Sequence, residues 1–116
     1  MAAIEPVEQS WNGDGRLWLW EGLVEGDTCL PLNINERQVE VGVDVYGTFG
    51  GSTIAITGSL DQTQFSAIND SWGNAMSFTS VSGIIPIGPK INGVKPTIAA
   101  GSGADVDILI YILNQR

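Results

Sequence analysis

Apolar and polar residues alternate over residues 37–49, and this pattern constrains the fold more than any other feature of the sequence. From Val39 to Val45 every second position is apolar, which places Glu40, Gly42 and Asp44 on the opposite, outward face. The inward residues are Val39, Val41, Val43 and Val45. Such alternation is typical of an antiparallel strand with one buried face. The chain also contains 15 glycines, and each costs an internal helix position roughly 1 kcal/mol relative to alanine. Helix is therefore disfavoured throughout.

Turn signals at short intervals divide the rest of the chain into further strands. Gly50-Gly51 predicts a β-hairpin turn that pairs residues 37–49 with residues 53–60. The other predicted strands are residues 16–24, 64–68, 75–80, 83–87, 94–100 and 105–114. About eight short strands without helical crossovers predict an all-β, antiparallel two-sheet β-sandwich. Its strand order is expected to be jelly-roll-like, with an immunoglobulin-like order as the alternative.

The N-terminal residues show no periodic pattern. Glu5, Pro6 and Glu8 interrupt the apolar residues, so we expect residues 1–12 to form an arm that is ordered only by contact with another molecule. The remaining residues, 13–116, are short enough to form a single sandwich domain.

The last predicted strand is apolar on both faces. One face carries Val106, Ile108, Ile110 and Ile112, and the other carries Leu109, Tyr111 and Leu113. A sandwich strand normally has one face in water. Two interpretations remain open: the strand is central and covered, or its second face is buried against another subunit.

Four tryptophans are many for a chain of 116 residues. Trp18 and Trp20 would share one face of a strand, with Leu17 and Leu19 on the other. Packing in the core or in an interface is the favoured interpretation for this pair. The candidate residues for an interface with another copy or with a partner protein are Trp11, Trp18, Trp20, Leu109, Tyr111 and Leu113.

The residue types needed for catalysis are sparse. The sequence has no histidine, which removes the commonest general base and the commonest transition-metal ligand. Cys29 is the only cysteine, and no basic neighbour would lower its pKa, so we expect it to be buried. Asp105 and Asp107 share a strand face, but a solvated pair explains them. We predict no enzyme activity, no metal and no cofactor.

Calcium is the least unfavourable metal because it prefers hard oxygen ligands on loops. The candidate ligand groups are Asn12 with Asp14, and Asp61 with Asn69 and Asp70. Neither group has the spacing of a known calcium loop, and the turn-forming chemistry of Asn and Asp explains both.

The charge of the chain limits its partners. The net charge is −8, and the five basic residues are scattered singly. Nucleic acids and anionic membranes require clustered Lys and Arg, so neither is an expected partner. A basic protein surface is compatible with this charge. The N-terminus lacks a secretory signal pattern, which predicts synthesis in a cytosol.

The central part of the sequence combines a strand, a Gly-rich turn and a second strand over residues 39–57 with a series of short motifs. These motifs are Gly58-Ser59-Leu60-Asp61, Phe65, Ile68-Asn69-Asp70 and Gly73-Asn74-Ala75-Met76-Ser77-Phe78, with a closing aliphatic strand. Together they resemble small virion proteins of tailed bacteriophages, of the capsid decoration (cement) type. The resemblance covers residues from about Glu36 to the C-terminus. Gln62-Thr63 stands where such proteins carry a glycine-containing turn, and the tryptophan-rich front end has no counterpart.

The resemblance implies a sandwich protein, often trimeric, that binds the major capsid protein where capsid subunits meet. It implies a location on the capsid surface after synthesis in the host cytoplasm, and it brings no catalytic residues. The first alternative is a carbohydrate-binding or host-recognition module, which would need Trp18, Trp20 or Trp72 exposed on one flat face. An enzyme subunit or a tail-tube protein is the other alternative.

Overall fold

The computed structural model describes residues 3–10, 15–34, 38–89, 91–99 and 101–114, with the side chains of Gln38, Val39 and Asn114 also outside the description. All the regular secondary structure in these residues is β-strand. The strands are β1 (Ala3–Ile4), β2 (Val7–Gln9), β3 (Arg16–Leu23), β4 (Thr28–Cys29), β5 (Leu32–Asn33), β6 (Gln38–Thr48), β7 (Thr53–Ser59), β8 (Ser66–Ala67), β9 (Ser77–Phe78), β10 (Gly83–Pro86), β11 (Gly93–Ala99) and β12 (Asp105–Asn114).

The strands form two packed sheets. The front sheet has the order β10-β6-β12-β3-β2, and the back sheet has the order β5-β11-β7-β8, with β9 also pairing with β7. Every pair within these sheets is antiparallel. A short parallel pair, β1 with β4, lies outside them. The prediction of an all-β antiparallel sandwich is confirmed.

The pairing follows the nested scheme of a jelly roll. The strand β3 pairs with β12, β5 with β11, β6 with β10 and β7 with β8. The chain therefore behaves as one long hairpin whose two arms are wrapped together into two sheets. Successive pairs alternate between the front and back sheets, as the wrapping requires. This order selects the jelly roll over the immunoglobulin-like alternative.

The predicted hairpin between β6 and β7 is wrong. The two strands lie in different sheets, and β6 pairs with β10 and β12 instead. Gly50 and Gly51 do form a turn, with positive φ angles of 59° and 81°, but the turn carries the chain from one sheet across to the other. The amide of Ser102 donates to the carbonyl oxygen of Gly50 at 2.8 Å and ties this arch to the loop before β12.

The prediction of an N-terminal arm ordered only by another molecule is also wrong for the part of it that the structure describes. Val7, Glu8 and Gln9 pair with Leu19, Trp18 and Leu17 as the edge strand of the front sheet. Ala3 and Ile4 pair with β4. These strands are held by backbone hydrogen bonds, which every residue except proline can donate and accept. A sequence without apolar alternation can therefore still form them, and the absence of a pattern did not indicate strands.

The core lies between the two sheets and is built from the faces that alternation predicted. Its fully buried residues on the front sheet include Trp20, Val45, Val106, Ile108 and Ile110, each with 0% of its surface exposed. Ile54 and Ile56 of β7 pack against them from the back sheet. Val41 and Val43 are buried as predicted, whereas the side chain of Val39 lies outside the described part of the chain.

Candidate interaction surface

The outer face of the front sheet carries a row of side chains across its strands that are apolar except for Asp44. The register places Leu19 opposite Val7 on one side and opposite Leu109 on the other. Leu109 in turn lies opposite Asp44, and Asp44 lies opposite Ile84 on the edge strand β10. Because neighbouring positions across a sheet project to the same side, these five side chains form one line on the surface.

A second row runs parallel to the first. It places Tyr111 between Leu17 and Gly42, with Gln9 and Pro86 at the two ends. Leu113 follows on β12, opposite Glu40. We use the term outer apolar face for Val7, Leu17, Leu19, Ile84, Leu109, Tyr111 and Leu113.

The exposure of these residues shows that nothing described in the chain covers the face completely. Val7 is 59% exposed and Ile84 is 80% exposed. Leu17, Leu109 and Tyr111 are half-buried by their neighbours in the sheet. The strand β12 is therefore central within its sheet, as one interpretation of its sequence required, yet its second face is left partly open to solvent.

The outer face of the back sheet is different in kind. Its central strands β7 and β11 present small and polar residues in register, with Lys95 opposite Thr57 and Thr97 opposite Ala55. This is the composition expected where a sandwich sheet meets water. The two outer faces thus differ sharply, and only the front one has the character of a buried surface.

A depression lies in the middle of the outer apolar face. It has a volume of about 420 Å³ and is lined by Leu17, Glu40, Gly42, Val43, Asp44, Ile84, Leu109 and Tyr111. Gly42 creates it, because the missing side chain leaves a gap in the central part of β6. A Cβ added at this glycine would meet no atom within 4 Å.

Carboxylates surround the apolar residues. Glu40 and Asp44 line the depression, and Asp107 lies opposite Tyr46 on the same outer side of the sheet. Burial, followed by the negative charges of Asp107, Asp44 and Glu21, raises the pKa of Tyr46. The surface therefore combines apolar side chains with carboxylates, two of which line its central depression.

Three of the predicted interface residues lie on this face, namely Leu109, Tyr111 and Leu113. Trp20 does not, because it is fully buried in the core and its indole donates to the carbonyl oxygen of Leu30 at 3.0 Å. It must be removed from the candidate interface. Trp18 is half-buried on the inner side of the same strand, and the guanidinium of Arg16 lies 5.1 Å from the centre of its ring. Trp11 lies outside the described residues.

Four residues of the outer apolar face were not among the predicted interface residues, namely Val7, Leu17, Leu19 and Ile84. A signal for two of them was present, since Leu17 and Leu19 alternate with Trp18 and Trp20 along β3. A strand that is apolar on both faces and lies beside another such strand gives a wide apolar surface. The adjacency of β3 and β12, which are far apart in the sequence, was the missing information.

Of the three tryptophans named for the carbohydrate alternative, Trp72 alone is largely exposed. Trp72 is 66% exposed at the tip of a turn, but Trp20 is in the core and Trp18 is covered in part by Arg16.

The chemical groups considered as reactive or metal-binding have structural roles. Burial, with a smaller effect of the Asp27 charge, raises the pKa of Cys29 to about 12, so its thiol stays protonated. Asp61 accepts hydrogen bonds from the amides of Thr63 and Gln64, and Asp70 accepts from those of Trp72 and Asn74. The explanation of both aspartates by turn chemistry is confirmed, whereas Asn12 and Asp14 lie outside the described residues.

The part of the chain that is described contains neither a metal-binding cluster nor a membrane-spanning helix. No group of three or more His, Cys, Asp or Glu side chains is placed to hold a metal ion there. No helix in the same segments could serve as a membrane span.

Comparisons with known proteins identify a shared fold. Neither a protein-family model nor a curated protein sequence matches the chain. Among solved structures, the chain is similar to the SPBc2 prophage-derived protein YomS, with a TM-score of 0.61. The match covers 90% of this chain and 99% of YomS, at 7% sequence identity. At this identity the similarity shows a common architecture over nearly the whole length of both chains.

Proposed function

We propose that this protein is a structural protein of a tailed bacteriophage that binds the outside of the capsid shell as a decoration protein. The outer apolar face is its contact surface in this proposal. The contrast between the two outer faces of the sandwich carries the proposal, because only the front face has leucine, isoleucine and tyrosine where water would favour polar residues.

Two further observations support a phage protein. YomS, whose architecture the chain shares, is by its name a product of a prophage. The motifs of residues 39–78 resemble those of capsid decoration proteins. A jelly roll serves many unrelated functions, so the fold alone would not lead to this proposal, and the surface supplies the specific argument.

The proposed partner is the major capsid protein, and the proposed assembly is a homotrimer on the capsid surface. The acidic surroundings of the outer apolar face disfavour packing two copies through it, because like charges would meet. We therefore assign the contacts between copies to other surfaces, as a ring of three requires two different patches on each copy. We propose no catalytic role.

Co-sedimentation with purified shells of the phage that encodes the protein tests this function. Leu109→Gln places a polar group in the middle of the outer apolar face, and Thr97→Gln places the same group in the middle of the back sheet as a control. We expect wild type and Thr97→Gln to pellet with the shells and Leu109→Gln to remain largely in the supernatant. Wild-type protein that ignores the shells, or equal pelleting of all three proteins, would overturn the proposal.

A further inference from the structure

The depression at Gly42 has the chemistry of a site for a basic side chain. Its walls are apolar, from Leu17, Ile84, Leu109 and Tyr111, and two carboxylates, Glu40 and Asp44, also line it. The long methylene stems of lysine and arginine pack against apolar surface while their charged ends seek polar partners. A purely aliphatic side chain would leave the carboxylates unpaired, and an acidic one would be repelled.

The described part of the chain supplies no cation to this depression. The Arg16 guanidinium is 2.7 Å from the Glu8 carboxylate, and Arg16 lies over Trp18 on the inner side of the sheet. The ammonium group of Lys95 lies 5.0 Å from the centre of the Phe65 ring on the back sheet. A basic group that enters the depression would thus come from a second molecule or from residues beyond the described ones.

We infer that the depression receives a lysine or arginine side chain of a protein partner, whose surrounding surface is apolar. This inference rests on the proposed function, with the capsid surface as the partner, and it adds the chemistry by which that surface is recognised. Charge complementarity identifies the partner: an apolar surface with carboxylates at its central depression matches an apolar patch that carries basic residues. A second copy of this chain, packed through the same face, would instead bring Glu40 and Asp44 against identical carboxylates.

Gly42 offers a variant that fills the depression without disturbing the fold. An added Cβ would meet no atom within 4 Å, and the φ of Gly42 is not among the positive values found elsewhere in the chain. Gly42→Leu should therefore fold at least as well as wild type, since glycine is unfavourable inside a strand. The control is Ala55→Leu, which adds a leucine to the outer face of the back sheet.

A second variant removes the charges and keeps the shape. The double substitution Glu40→Gln and Asp44→Asn replaces both carboxylates by neutral groups of similar size. Binding to the shells is measured as a sedimentation isotherm at two salt concentrations, after thermal melting has shown that each variant is folded. The mass of each protein by light scattering shows whether self-association has changed.

We expect Gly42→Leu and the double variant each to bind the shells roughly tenfold more weakly than wild type, because each loses one central anchoring contact. Wild-type binding should weaken as salt is raised, whereas binding of the double variant should depend less on salt. Ala55→Leu should bind like wild type, and the mass of every variant should be unchanged.

The outcomes separate this inference from the function on which it rests. If wild type pellets with the shells and both front-face variants bind equally well, the basic side chain is excluded while shell binding stands. Wild-type binding that strengthens with salt would exclude the charge pairing in the same way. If wild type does not bind at all, the proposed function and the inference both fail.

Discussion

Trp20 and Leu30 are joined by a hydrogen bond of 3.0 Å from the indole Nε1 to the backbone carbonyl oxygen, made by a ring that is fully buried between the sheets. The bond gives the polar atom of the largest core side chain a partner, so that the ring can fill the core without leaving a buried donor unpaired.

Replacing Trp20 should therefore be costly. Trp20→Phe removes the donor and part of the ring volume, and we expect the free energy of unfolding to fall by about 2 kcal/mol. Denaturant unfolding measures this loss of stability. Trp72→Phe is the control, because Trp72 is 66% exposed, and its unfolding midpoint should match that of wild type. Equal effects of the two substitutions would show that Trp20 is not in the core.

The carboxylate of Glu25 should make stability depend on acid pH. It accepts hydrogen bonds of 3.0 Å from the amides of Gly103 and Ala104 and so ties the turn after β3 to the loop before β12. Backbone hydrogen bonds, that of Ala104 the largest, hold the pKa of Glu25 below its usual value of 4.5. Because the folded pKa is lowered, the stabilisation is present above the unfolded value and is lost as pH falls below 4.5.

The variant Glu25→Gln isolates this effect. It should be less stable than wild type at neutral pH, and the difference should shrink as acid protonates Glu25 in the wild type. Denaturant unfolding over a pH series checks this, with the exposed Glu5→Gln as control. A difference that stays constant down to strongly acid pH would contradict the assignment.

The arch between the sheets predicts unequal effects at two adjacent glycines. Both Gly50 and Gly51 have positive φ, so alanine is strained at either. At Gly50 an added Cβ would also press against the backbone carbonyl oxygen of Ser102, whereas at Gly51 the nearest atom, the Cα of Gly101, is 3.9 Å away. We expect Gly51→Ala to cost about 1 kcal/mol and Gly50→Ala clearly more, as judged by thermal melting. A larger loss of stability for Gly51→Ala than for Gly50→Ala would indicate a different backbone course for the arch between the sheets.

Gln62 is the one non-glycine residue with a positive φ, 64°, within the described segments. Its side-chain amide donates to the carbonyl oxygen of Asn92 at 2.9 Å. Gln62→Gly and Gln62→Ala both lose this side chain, but only glycine relieves the backbone strain. The glycine variant should therefore be the more stable of the two by about 1 kcal/mol in denaturant unfolding. An alanine variant of equal stability would show that the turn carries no strain.

This turn also shows how much the sequence could reveal. A glycine-containing turn was expected after Asp61 from the resemblance, and the structure has the left-handed conformation there with Gln62 in the place of glycine.

Alternation predicted the strands well because it reports which side chains face inward. It placed a strand at residues 16–24, where the structure has Arg16–Leu23, and the last strand at 105–114, where it has Asp105–Asn114. Alternation carries no information about which strands are neighbours, and for that reason the pairing of β6 with β7 was predicted wrongly. For the same reason the sequence did not reveal the outer apolar face, because this face forms only when β3 and β12 lie side by side.

Hydroxyl-radical footprinting of the protein, free and bound to shells, tests the central claim most directly. Side chains that become covered lose reactivity with the radical, and the modified residues are identified by mass spectrometry. Our account predicts that Leu19, Leu109 and Tyr111 are protected on the shell, whereas Phe65, beside Lys95 of the back sheet, reacts as it does in the free protein. Protection of Phe65 with unchanged reactivity at Leu109 and Tyr111 would place the contact on the opposite side of the sandwich and contradict the account.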